Sequence, residues 1–188
     1  MKKTVRNTAL LLLAGLMLLS APACSGKAPA ASGNAPAASE EKEPVNLDAL
    51  IIGITTEYEM TDGFVFSSSS TELGEYLDPD LIQSYYGDAV SVPDFEKVSE
   101  YCLYVDESNG KILTDVGAFR LNDASYADTF MQYLQARIDK KIANAANYPD
   151  IDVAMLKKAV VAKSGDVVWY TVGYDSEAIA KELKAALS

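Results

Sequence analysis

Twice in its second half the chain repeats one local pattern. Two short runs of β-branched, aromatic and leucine residues are parted by a glycine-containing turn and followed by an amphipathic helical stripe. The first pair is Tyr101 to Val105 and Ile112 to Leu121, with Glu107-Ser108-Asn109-Gly110 between them. Asn-Gly between such runs is the strongest local signal for a β-hairpin, because both residues tolerate the positive φ that the tight turn demands. The second pair is Lys158 to Lys163 and Val167 to Gly173, across Ser164-Gly165-Asp166. Phe130, Leu134, Ile138 and Ile142 recur every four residues after the first hairpin, and Met131 and Ala145 widen the stripe. This spacing predicts a long helix that ends before Tyr148-Pro149, with Ser125 and Asp128 as a capping box and Lys140 and Lys141 suiting its C-terminal half. After the second hairpin, Asp175 is expected to cap a helix carrying Ile179, Leu183, Ala186 and Leu187 on one face. A hairpin cannot bury its apolar face alone. The pattern therefore predicts an α+β fold: an antiparallel sheet of two hairpins with helices packed on one face, strand-strand-helix twice, after a helical lead-in.

The lead-in is more broken. Leu47, Leu50, Ile51 and Ile54 fall at helical spacing behind an Asn46 cap, while Gly53, Thr55 and Thr56 weaken the end. Asp62-Gly63 through Ser67 to Ser70 reads as a loop around one short extended piece, Phe64 to Phe66. Asp78-Pro79 and Gly87 bracket a short helix, Pro79 to Tyr86. Pro93 to Val98 has room for one further helical turn.

The first 44 residues have a different composition. Lys2, Lys3 and Arg6 precede an apolar run from Ala9 to Leu19, the n-region and h-region of a secretory signal. That run is shorter than the roughly 20 residues a bilayer-spanning helix needs. Ser20-Ala21-Pro22-Ala23-Cys24 follows, with small residues directly before a cysteine, as in the bacterial lipobox that directs acylation of the thiol and cleavage before it. Ala21 and Pro22 depart from the usual residues there, and Ala21-x-Ala23 equally satisfies ordinary secretory cleavage. The expected organisation is a signal peptide over 1–23, a lipidated Cys24 opening an Ala/Pro/Ser tether over 24–44, and one globular domain over 45–188. The tether repeats Ala-Pro-Ala-Ala-Ser at 28–32 and 35–39 and has nothing with which to bury a hydrophobic face. Two or more acyl chains on Cys24 would hold the protein on a membrane, on its outer, extracytoplasmic face.

Charge and composition narrow the chemistry. Lys and Arg number 16 against 27 Asp and Glu, for a formal net charge of −11. Removing Lys2, Lys3 and Arg6 with the signal makes the remainder three units more negative still. A surface this acidic repels phosphate backbones, so nucleic acid is not expected as a partner. No histidine is present, which removes His-based nucleophile pairs and His-containing zinc sites. There are two cysteines. With Cys24 acylated, Cys102 has no partner for an intramolecular disulfide, and between Tyr101 and Leu103 it reads as a small buried hydrophobe. No cofactor or metal is expected.

The closest carboxylate pairs are Asp78/Asp80, Asp106/Glu107 and Asp150/Asp152, and each is explained by a cap, a hairpin turn or a solvated loop. Such positions favour the ionised acid and so do not furnish a general acid at neutral pH. Tyrosine is abundant, 11 in all, and Tyr86 and Tyr104 are candidate ligand contacts because the amphipathic ring is favoured at binding surfaces. Arg137 interrupts the middle of the long helix and could receive a carboxylate ligand, although a structural ion pair or simple solvent exposure explains it as well.

Tyr86-Gly87 after the short helix, Gly117-Ala118-Phe119-Arg120 closing the first hairpin, Leu134 and Arg137 on the long helix, Tyr148-Pro149 and the Gly165 hairpin occur in an order that resembles a family of small lipoproteins of Gram-positive bacteria, known as a domain of unknown function. The likeness spans roughly Pro79 to Leu187. It implies a compartment and no activity. Two readings follow: a membrane-tethered, non-catalytic module binding a protein or small molecule, or a carboxylate-dependent enzyme acting on cell-envelope material.

Overall fold

The computed structural model describes residues 43–88, 91–106 and 114–188. Its centre is a five-stranded antiparallel sheet in the order β1-β2-β3-β5-β4. The strands are β1 (Phe64–Ser67), β2 (Val98–Val105), β3 (Asp115–Leu121), β4 (Val160–Ser164) and β5 (Val167–Val172). The two expected hairpins are β2/β3 and β4/β5, joined where β3 pairs with β5, with Gly117 opposite Tyr170. The short extended piece at Phe64 becomes an edge strand on β2, with Val65 opposite Tyr104. The Asn109-Gly110 turn itself lies outside the described residues.

All of β5, and β2 from Tyr101 onward, is buried, whichever way the side chains point. Tyr101, Leu103, Val105, Phe119, Leu121, Val168, Tyr170 and Val172 belong to one hydrophobic cluster. Cys102, Tyr104, Val116, Ala118, Val167 and Trp169 belong to another on the opposite face. The helices divide accordingly. Those packed over the first cluster are α2 (Pro79–Tyr86), α3 (Ala127–Ala145) and the one-turn α4 (Val153–Leu156). Over the second lie α1 (Leu47–Glu57) and α5 (Ser176–Ala186), placing Leu47, Ile51, Ile54, Ile179 and Leu183 in the core. The α+β antiparallel sheet is as expected, but the expectation that helices pack on one face is corrected. A strand buried on both faces reads as a continuous apolar run rather than an alternating one, and both faces need a cover.

Helix starts show further differences. Asn46 and Asp78 cap α1 and α2, accepting from the backbone N–H of Ala49 and Leu81. The expected Ser125/Asp128 capping box does not form. Asp123 instead accepts from the backbone N–H and hydroxyl of Ser125 at the head of a 3₁₀ turn, Ala124–Tyr126, that leads directly into α3. Asp128 is thereby left to bind Lys163, 2.7 Å away. Asp175 precedes α5 in a left-handed conformation, φ 54°, and makes no side-chain cap. At the C-terminal end of α1 the chain continues helically through Thr55 and Thr56, whose hydroxyls both donate to the Ile52 carbonyl. The turn expected near Pro93 is a 3₁₀ turn over Phe95–Lys97.

The segment before α1 is fixed at the end of the sheet where β2 begins. There Arg120 donates to the Val45 carbonyl at 2.6 Å and pairs with Glu100 at 2.9 Å, while Glu100 accepts from the Leu47 N–H. From that clamp α1 runs about 16 Å to the other end of the sheet, where β2 finishes and β3 begins.

Candidate functional site

Two constellations lie at that far end, one on each face. On the α3 side, Asp115 is the first residue of β3 and is wholly buried. Arg137 and Lys141, one turn apart on α3 and 8% and 9% exposed, both reach it. Arg137 donates through Nε at 3.2 Å and Nη2 at 2.8 Å to one carboxylate oxygen, and the Lys141 ammonium binds the other. One carboxylate thus serves two buried cations. The Arg137 guanidinium stacks on Tyr85, 4.3 Å from the ring centre, with Tyr86 at 5.6 Å, contacts that suit its planar charge. The Tyr86 and Tyr170 hydroxyls face this cluster without closing a hydrogen bond of normal geometry. Burial first pushes both phenols above their ordinary pKa, and the neighbouring charge of Asp115 acts in the same direction.

On the α1/α5 side the ends of several elements leave a cleft of about 220 Å³. Its lining comes from the segment after α1 (Tyr58 to Asp62), from Tyr104 and Asp106 at the end of β2, from Thr114, and from Tyr174 and Asp175 before α5. Four carboxylates line it, Glu59, Asp62, Asp106 and Asp175, and among the described residues no Lys or Arg does. Three of its residues are tyrosines, and each is held differently. The Tyr58 hydroxyl donates to Glu182 at 2.6 Å, and that carboxylate, with burial and its own negative charge adding, pushes the phenol up to about 12. Tyr104 is buried, and its hydroxyl accepts the Gly63 N–H at 2.8 Å. A side chain at Gly63 would meet the Tyr104 ring within 2.5 Å, so only glycine permits that approach. Tyr174 is half exposed at the mouth. Among the described residues, the two non-glycines with positive φ, Glu59 and Asp175, both lie in this lining.

Of the sequence candidates, Tyr86 and Arg137 come together on one face and Tyr104 falls on the other. Arg137 is engaged by Asp115, which fits the ion-pair reading. Among the acid pairs, Asp152 caps α4 through the N–H of Ala154 and Met155, and Asp78 caps α2. Asp106 corrects the solvated-turn expectation: it is 3% exposed and part of the cleft, whereas its neighbour Glu107 lies outside the described residues. Cys24 and the tether up to residue 42 also lie outside them. Sequence reasoning missed Asp115 and Lys141. The available signal was the i, i+4 spacing of Arg137 and Lys141 beside the apolar Leu134 and Ile138, which puts both cations on the buried side of the helix. Cys102 is fully buried, and burial, reinforced by Asp48, raises its pKa far above that of a reactive thiol.

The span from β2 to the end of β5 is the part with counterparts elsewhere. Residues 94–173 match the family model of a domain of unknown function, DUF4358. No curated protein and no solved structure matches the chain significantly. The DUF4358 span contains four of the five strands, α3, and the whole Asp115–Arg137–Lys141 cluster. It supplies Tyr104, Asp106 and Thr114 to the cleft, while Tyr58 to Asp62, Tyr174 and Asp175 lie outside it. The buried ion cluster therefore goes with the DUF4358 scaffold, and the cleft is completed by segments that flank it. Among the described residues, no group of three or more His, Cys, Asp or Glu side chains is arranged to hold a metal ion, and no helix is long and apolar enough to cross a membrane.

Proposed function

We propose that the protein is a lipid-anchored, extracytoplasmic binding module of a Gram-positive cell surface, tethered through acylated Cys24 and receiving its ligand in the cleft between Tyr58, Tyr104 and Tyr174. The observation that carries this reading is the position of the cleft. It opens at the end of the sheet remote from Val45, the point where the tether joins the domain. The six steps along β2 from Glu100 to Asp106 separate the two ends by about 20 Å. An Ala/Pro/Ser spacer of about 20 residues would add roughly 25 Å of reach if it behaved as the coil its composition suggests, so a module built this way would hold its cleft away from the membrane. The non-catalytic reading draws support from the mixed lining, in which tyrosines accompany acids contributed by three different segments, rather than from any one pair set for proton transfer.

Fractionation of cells expressing Cys24→Ala tests the anchor: the wild type is expected in the membrane fraction and the variant outside it. In a strain where deletion gives a measurable phenotype, Tyr174→Ala with Asp62→Asn should abolish rescue in a protein that still folds and localises. Full rescue by that variant, with loss of rescue by Asp78→Asn/Asp80→Asn or Asp150→Asn/Asp152→Asn, would overturn the cleft reading in favour of the carboxylate enzyme.

A further inference from the structure

We infer that the ligand of this cleft is an organic ammonium ion, either a quaternary headgroup or the side chain of a basic peptide. The inference rests on the cleft being the binding site, and it adds the class of ligand. Three features point to it. The first is the sign of the field: Glu59, Asp62, Asp106 and Asp175 line a recess to which no described Lys or Arg contributes. Low-dielectric walls concentrate such a field, which disfavours an anion and gives a cation an attraction that a neutral ligand, limited to hydrogen bonds with the acids, does not share. The second is aromatic lining. Tyr58 and the half-exposed Tyr174 offer ring surface to a cation whose charge is spread over carbon and nitrogen, with the buried Tyr104 beneath them. The hydroxyls of Tyr58 and Tyr104 are already bonded to Glu182 and to the Gly63 N–H. The third is the dispersal of the acids. A hard metal ion requires six or more oxygens converging to 2.0–2.6 Å, or an octahedral shell completed by water. The described carboxylates form no such group, and the recess of about 220 Å³ is far larger than a bare ion. Acids arranged around a wide, tyrosine-lined recess fit a bulky cation that needs charge compensation without coordination.

Quaternary headgroups and lysine side chains share this chemistry, and the test separates them. The full-length protein in non-ionic detergent, labelled with 3-fluorotyrosine, gives ¹⁹F resonances for Tyr58, Tyr104 and Tyr174 that Tyr→Phe variants assign. Choline and Nα-acetyl-lysine amide are the cationic probes. Their neutral counterparts are 3,3-dimethylbutanol and Nα-acetyl-norleucine amide, and calcium chloride and succinate complete the set. The expected result is saturable movement of the cleft resonances by one or both cationic probes, at least tenfold tighter than by the neutral counterpart. Asp62→Asn and Asp175→Asn should weaken it several-fold, and added salt should do the same; asparagine tolerates the positive φ at position 175. Choline alone identifies a quaternary headgroup, and the lysine probe alone a basic peptide. Equal binding of a neutral counterpart, or preferential binding of succinate or calcium, overturns the ammonium assignment while leaving the cleft a binding site. No response of the cleft resonances to any probe overturns both the ammonium assignment and the reading on which it rests.

Discussion

Asp115 is the residue whose loss should cost the fold most for its size. In Asp115→Ala, Arg137 and Lys141 would remain on α3, each more than nine-tenths buried, without the carboxylate that both bind. Breaking one buried ion pair by removing a partner costs about 3–5 kcal/mol. Here a single deletion breaks two such pairs, which argues for the upper part of that range. Two effects reduce it: Lys141 can extend its flexible stem toward solvent, and Arg137 retains its stacking on Tyr85, about 1–2 kcal/mol in a desolvated setting. A net loss of about 3–5 kcal/mol should result, equivalent to a fall in Tm of roughly 10–20 °C for a domain of this length. Urea unfolding followed by circular dichroism measures it directly. The penalty comes from stranded charge and not from lost attraction, so Asp115→Leu with Arg137→Met and Lys141→Met should be more stable than Asp115→Ala alone. A triple variant less stable than the single one would refute that reasoning, as would an Asp115→Ala cost below about 1 kcal/mol.

Other outcomes follow from features already described. A Cβ at Gly117 would lie 2.7 Å from Tyr170 Cε1 and 2.9 Å from Leu103 Cβ, so Gly117→Ala should lower the urea midpoint by the equivalent of about 1–3 kcal/mol with an unchanged m-value. Tyr58 keeps its proton more tightly when folded, to about 12, than in an unfolded chain, where its pKa is about 10. Its contribution to stability is therefore complete below pH 10 and is lost as pH rises toward 12. Stability measured across that window should fall less steeply in Tyr58→Phe than in the wild type. In a Cys24→Ala background, Cys102 should resist a thiol reagent in buffer and react fully in denaturing urea; rapid reaction in buffer would contradict its burial.

The sequence shows its helices and hairpins through period and punctuation, and these carried over where the signal was local. The Asp78-Pro79 start, the four-residue stripe of α3 and the Ser164-Gly165-Asp166 turn are each decided by a few neighbouring residues. The second helical layer was hidden because it depends on a comparison along β2 that one strand cannot reveal. Tyr101 to Val105 is uniformly apolar, which fits a strand with both faces covered as well as one with a single covered face and tolerant exposure. β1 was legible only as a short extended piece and not as a strand of the sheet, because it pairs with β2 across more than 30 residues and only one of its four residues, Phe66, is buried. The site was divided in the same way. Arg137 stood out as a charge in an apolar stripe, but its partner Asp115 is 22 residues away, at the edge of a strand where an acid reads as turn chemistry. The cleft gathers residues from positions 58 to 175, and no spacing along the chain announces it.

The order β1-β2-β3-β5-β4 also sets how the molecule opens. Amides of β3 and β5 are flanked by paired strands on both sides and covered by helices above and below, so they should exchange with deuterium only through complete unfolding. Those of β1 and β4, at the two margins, should exchange through partial opening that leaves the centre intact. The cleft straddles that divide, with its floor at Tyr104 on β2 and one wall in the loop leading into β1. A ligand that links the wall at Asp62 to Tyr174 would therefore register first as slowed exchange at the β1 margin, while the centre of the sheet, already at its limit, would slow only as the global unfolding equilibrium moved.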